Sequence, residues 1–327
     1  MYTQQLSPMA YFPPAAQTFN SPIDVGSAYV IPPTGRVFSV RGDGTTVTNL
    51  DDQYTQFSTN MERRLYPSIA LALVDCKANR GDTIIVYPGH TENVAKANAW
   101  PLVAGVKIVG LGGEGDRPTI TWTVAASSVL MNAANVKLQN LNLFFCPAAG
   151  GGVTVTAPIT ISAAGCSILG GAIRMSTDAT TLCTIGVTTT AGATDLTLSV
   201  PRVYGATAGT PTTGFQFVGA TRLNLFGTSI SMATSAVGVG VVRFLTTAST
   251  DIEVYDCVFR NNLASSTAAV TCMAGVTGEA DCVSMKVNSG GATAWVTVAG
   301  MTFGPNVTAC NTDGQRGVVF GTGSTLA

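Results

Sequence analysis

A pattern of apolar residues that returns about every 30 positions constrains this chain more than any other feature of its 327 residues. The recurring unit is apolar, any, apolar, any, then usually Gly, Asn or Asp, then two further residues and a third apolar one. It reads at Val106-Lys107-Ile108-Val109-Gly110, at Val136-Lys137-Leu138-Gln139-Asn140 with Leu143, and at Cys166-Ser167-Ile168-Leu169-Gly170 with Ile173. It returns at Leu196-Thr197-Leu198 with Val203, Leu223-Asn224-Leu225-Phe226-Gly227 with Ile230, and Ile252-Glu253-Val254-Tyr255-Asp256 with Phe259. The last copy reads as Val296-Thr297-Val298-Ala299-Gly300 with Phe303. First positions advance by 30, 30, 30, 27, 29 and 44, and the long step is read as an insertion near 260–282.

Most copies follow a second short alternating strand and a small-residue corner: Val129 to Met131, Ile159 to Ile161 and Phe215 to Phe217. Two strands, a corner, a bend and a third apolar position describe one turn of a β-solenoid. Alternation sends the first and third residues of each copy into a bore, while Gly, Asn or Asp takes the backbone geometry of the bend. Coils stack about 4.8 Å apart, so seven give a body about 35 Å long. A β-sandwich is the alternative for a chain of many short strands.

Residues 1–35 differ in character. They hold six of the 15 prolines and a single charge, Asp24. Proline denies them helix and central-strand pairing, so an extended segment is expected. Its aromatic residues, Tyr2, Tyr11, Phe12, Phe19 and Tyr29, suit a docking arm ordered by a partner surface; the other reading is a segment wrapped on its own domain. Residues 36–82 read as a first strand and a helix. The helix is expected over Leu65–Cys76, with Pro67 near its start, an Ile69, Leu73, Cys76 stripe, and Gly81 beyond its end. Residues 83–327 form the coils, opening on the strand Thr83 to Val86.

The runs Tyr66-Pro67-Ser68-Ile69-Ala70-Leu71-Ala72, Arg80-Gly81-Asp82-Thr83-Ile84-Ile85-Val86-Tyr87-Pro88-Gly89-His90-Thr91-Glu92, Val106 to Gly112 and Arg117-Pro118-Thr119-Ile120 carry a resemblance. They look like the opening of right-handed parallel β-helix (pectin-lyase-like) proteins of tailed-phage virions, most like head decoration or cement proteins. The resemblance covers roughly residues 36 to 320. It implies an N-terminal helix capping the bore, a place on the virion, often a trimer, and synthesis in a bacterial cytoplasm. It leaves head and tail as alternatives.

Candidates for chemistry are few. Charged residues make up 11% of the chain and the net charge is -1, so neither nucleic acid nor an anionic membrane is an expected partner. No window of about 18 apolar residues exists to span a bilayer. The opening Met1 to Pro8 has no basic residue and does not read as a secretory signal. Eight cysteines form no CxxC pair and read as reduced, mostly buried thiols. His90 is the only histidine and follows a Pro-Gly turn. Gly110 to Gly115 matches GxGxxG, but a turn and strand follow where a dinucleotide site needs a helix. Arg41-Gly42-Asp43 and Arg80-Gly81-Asp82 both read as turns. Trp100, Trp122 and Trp295 are too scattered for a sugar platform.

The one local acidic cluster is Asp251, Glu253 and Asp256. Asp251 and Glu253 have α-carbons about 6.6 Å apart on one strand face, which a glycosidase pair could use. The repeat supplies a structural reading: Asp195, Arg222 and Asp251 occupy one position on successive coils and alternate in sign, as a surface ladder does. The expectation is a virion structural protein without catalytic residues, metal or cofactor, placed on the capsid surface against the major capsid or another virion protein. A tail-spike or tail-fibre protein that binds or cleaves polysaccharide is the alternative. Outer faces rich in Ala, Thr, Ser and Gly also point to a homotrimer.

Overall fold

A computed structural model of the chain describes residues 35–42, 65–145, 153–175, 182–205, 211–236, 238–245, 249–264, 266, 268–273, 275–288, 295–296, 300–310 and 325–326. Residues 1–34, and with them the five aromatic residues of the expected docking arm, lie outside them.

The apolar triplets stack as the repeat requires. Ile84, Ile108, Leu138, Ile168, Leu198, Leu225, Val254, Ala280 and Phe303 are partners in one continuous register. All of them are buried. Every strand pairing among the described residues that forms this column is parallel, so each backbone hydrogen-bonds to the turns before and after it. A second face stacks the third apolar position: Ile120, Leu143, Ile173, Val203, Ile230, Phe259 and Met285. The third face is a sheet of seven strands, from Val129–Met131 to Trp295–Val296, one strand per turn. The protein is a parallel β-solenoid of about seven turns.

Aromatic residues fill the bore at particular levels. Trp122 and Phe145 meet edge to face at 4.8 Å, and Phe217 stacks on Phe244 at 5.1 Å. Asn261 is the most connected polar group inside. Its amide nitrogen donates to the carbonyls of Val239 and Ala268 at 2.9 and 2.8 Å, and its oxygen accepts from the Leu263 N–H at 3.2 Å.

Bends carry a backbone signature. Gly105, Asn135, Gly165, Asp195, Arg222 and Asp251 each stand just before the first apolar residue, and all have positive φ, from 53° to 79°. Gly and Asn adopt this left-handed region readily, and Asp more readily than most. Arg222 has no such excuse. Its side chain lies bidentate on Asp195 of the preceding turn, with Nε and Nη2 at 2.5 and 2.7 Å from the carboxylate oxygens.

Two sequence expectations need correction. The helix spans only Ile69–Val74, because Leu65–Tyr66 is a strand paired with Ser39 and Val40, and Ser68 caps the helix by accepting from the Leu71 N–H. The expected stripe does hold, since Ile69, Leu73 and Cys76 are buried. The helix packs on Val37–Val40, Leu65–Tyr66 and Thr83–Val86.

The step of 44 is not one turn with an insertion. Ile252 pairs with Gly278, and Gly278 with Met301, so a complete rung runs through 278–286. Val296, read as a first position, belongs to the third face, where it pairs with Thr271. Gly278 hid the rung. It stands where Leu223 and Ile252 place aliphatic side chains, and at φ 148° an added Cβ would lie 2.0 Å from the Ile252 carbonyl oxygen.

Candidate functional site

Charged and polar side chains gather in three places. The first surrounds the short helix. Asp82, with no exposed surface, accepts from the backbone N–H groups of Arg36 and Lys77, both at 2.8 Å, and from Arg80 at 2.6 and 2.7 Å. The Arg-Gly-Asp at 80–82 is thus an internal clasp. Burial works to raise the Asp82 pKa, but the Arg80 guanidinium and the two amides outweigh it and hold the carboxyl below its ordinary range.

Beside it, Glu92 is buried and accepts from the Ile69 N–H at 2.7 Å and from the Trp100 indole at 3.3 Å. His90 Nε2 lies 3.3 Å from the same carboxylate. The sequence alone reads His90 as a turn residue; the structure buries it to 1% exposure. The turn is real, but strand Thr91–Val94 begins directly after it and draws the ring inward beside Glu92. Trp100 and Trp122 are likewise buried and give no sugar platform.

The second place is the column of bend residues. Asp195 and Arg222 form the expected ladder pair, and this contact pulls the Asp195 pKa down. Asp251 adds only a longer-range attraction to Arg222. Asp178, the other acid of the central coils, lies outside the described residues.

The third place is a shallow cleft of about 360 Å³ on the first face, lined by Glu253, Tyr255, Glu279, Asp281, Thr302 and Gly304 among others. Of the acidic cluster Asp251, Glu253 and Asp256, only Glu253 reaches it. Asp251 and Asp256 occupy bends with φ 56° and 52°, at either end of that strand segment. Glu253 and Glu279 are register partners, so their α-carbons stand about 4.8 Å apart. Tyr255 is 40% exposed and its ring stacks on Phe226 at 5.4 Å. Asp281 turns instead to the backbone, accepting from the N–H groups of Cys282 and Asn306. Glu279 and Asp281 escape a reading of the sequence because Gly278 hides their rung; the outward alternation Glu279, Asp281 around Ala280 is the available signal. Two carboxylates beside an exposed phenol ring can bind cations or accept from hydroxyl groups. Among the described residues no group of three or more His, Cys, Asp or Glu is placed to hold a metal ion, and no helix is long and apolar enough to cross a membrane.

The fold class these observations define is the parallel β-solenoid. Compared with protein-family models, curated proteins and solved structures, the chain matches none.

Proposed function

We propose that this chain is a non-enzymatic structural protein of a tailed-phage virion, a decoration or cement protein on the capsid exterior. In this reading the solenoid is right-handed, as most parallel crossovers are, and the helix at Ile69–Val74 covers its first turn. Residues 1–35 dock on the major capsid protein or another virion protein, and three chains assemble. The phage assignment rests on the opening sequence motifs. The observation that carries the non-enzymatic reading is the bend column: Asp195, Arg222 and Asp251 share one left-handed backbone position on successive turns, and Asp195 is engaged by Arg222. These acids shape and zip turns.

The cleft of Glu253, Glu279 and Tyr255 favours the second reading, a tail-spike-like protein acting on polysaccharide. Incubation with host surface polysaccharide separates the two. The structural reading expects no shortening of the polymer; cleavage that disappears in Glu253→Gln or Glu279→Gln overturns it in favour of an enzyme. Binding of the purified chain to particles that lack it is the positive arm, and failure to bind leaves the decoration role without support.

A further inference from the structure

The outer surface carries two like-charge pairs on the same two rungs. Strands Thr250–Asn261 and Gly278–Lys286 run in register, which sets Glu253 beside Glu279 on the first face and Arg260 beside Lys286 on the second. All four residues are exposed, and none has an ion-pair partner among the described residues. Like charges directly opposite on neighbouring strands disfavour one another. The pairs cannot neutralise each other within one molecule. Glu253 and Arg260 lie on opposite sides of the bend at Asp256, up to about 23 Å apart along the strand, and look out from different faces.

A second copy of the chain satisfies both pairs. Rotation about an axis parallel to the solenoid keeps every rung at its own height. Glu253 of one copy can therefore meet Arg260 of the next, which belongs to the same rung, while Glu279 meets Lys286. A two-fold arrangement bringing the carboxylate faces together sets like against like. Tyr255 adds an apolar reason: it shares the rung of Glu253 and Arg260, and an approaching Arg260 would cover its exposed, Phe226-stacked ring.

We propose that copies associate side by side with solenoid axes parallel, the Glu253–Glu279 face of one against the Arg260–Lys286 face of the next. The contact is heterologous, and it closes into a ring when the rotation between neighbouring copies divides a full turn, as a threefold does. This deepens the trimer of the proposed function and supplies its surfaces.

Sedimentation equilibrium at micromolar concentration tests it, with circular dichroism to verify folding. Glu253→Arg with Glu279→Arg should weaken association at least about tenfold, as should Arg260→Glu with Lys286→Glu, whereas all four changes together should restore it. Association of the unchanged protein should also weaken in about 1 M salt. Reversed variants that assemble like the unchanged protein overturn the face assignment and leave the oligomer standing. An unchanged protein that sediments as a single chain overturns both. Should a reversal lose its β spectrum, Glu253→Gln with Glu279→Gln replaces it, and unaltered association then overturns the proposal.

Discussion

Single polar residues hold the places where the repeat is interrupted. Asp82 joins the first strand, the segment after the helix and Arg80 through four hydrogen bonds. Its folded-state pKa is depressed, so its contribution is fully present above the unfolded carboxylate range, near pH 4, and is lost as pH falls through the folded value. Asp82→Asn should therefore cost about 1 to 3 kcal/mol at pH 7. In urea melts the gap from the unchanged protein should narrow below about pH 4; a gap independent of pH contradicts this account. Asn261 plays the same part inside the wall. Asn261→Ala leaves the Val239 and Ala268 carbonyls and the Leu263 N–H without that partner, an expected loss of at least about 2 kcal/mol. The exposed neighbour Asn262, bonded through its side chain to Ser231 Oγ at 3.1 Å, is the control, with an expected change within about 0.5 kcal/mol for Asn262→Ala.

At the level of elements, legibility follows side-chain size. Coils with Val, Ile or Leu at both inward positions are readable because period-two burial leaves a direct mark on sequence. The third-face strands at 129–131, 159–161 and 215–217 are visible for the same reason. The rung at 278–286 is not, since Gly278 and Ala280 carry too little apolar volume to register, and the carboxylate pair of the cleft vanishes with it. His90 and Glu92 are unreadable differently: their burial depends on a helix whose docking no local pattern encodes. The expectation of mostly buried thiols holds for the six cysteines whose side chains are described. Cys76, Cys166, Cys183, Cys257 and Cys272 are buried thiols, and Cys282 is an exposed one. Burial pushes Cys76 and Cys257 up to about 12, so these thiols stay protonated. A thiol reagent at pH 8 should modify Cys282 and spare those five until the fold opens. Reducing agent should leave the melting temperature unchanged; a fall above about 5 °C means a crosslink.

Attachment and assembly belong to the whole molecule. In the proposed decoration role, an arm with five aromatic residues and one charge would bind by apolar burial and backbone pairing. Burying three aromatics would contribute roughly 5 to 9 kcal/mol before ordering costs, which backbone entropy would largely cancel, so the proposed role relies on the avidity of three arms in the proposed trimer. Removing residues 1–35 should abolish particle binding while leaving the β spectrum intact, and about 1 M salt should leave each arm's own contact almost unchanged, weakening attachment only through the association of copies that supplies the avidity. Equal binding by the shortened chain moves the docking surface onto the coils. Salt should thus discriminate the two proposed contacts, the arm resisting it and the side-by-side interface between copies yielding to it.

The unbroken vertical register has a further consequence, for how the molecule comes apart. Apart from the exposed Arg202–Glu114 ion pair, the backbone of each described turn pairs with the turns above and below, so loss of structure should spread like an opening zip from an end. The two ends are unequal. Near the beginning, Trp100 and Trp122 lie 6.4 Å apart in a buried cluster with Phe145. Toward the end, the rung at 278–286 offers the bore only Gly278 and Ala280 where the rung before it places Ile252 and Val254. Fraying should therefore begin at the later turns. With Trp295 replaced by Phe, tryptophan emission becomes a clock for the first turns alone, and thiol labelling of Cys272 one for the later ones. In rising urea the thiol should open first and the emission change last; coincident transitions would mean that the stack behaves as one indivisible block.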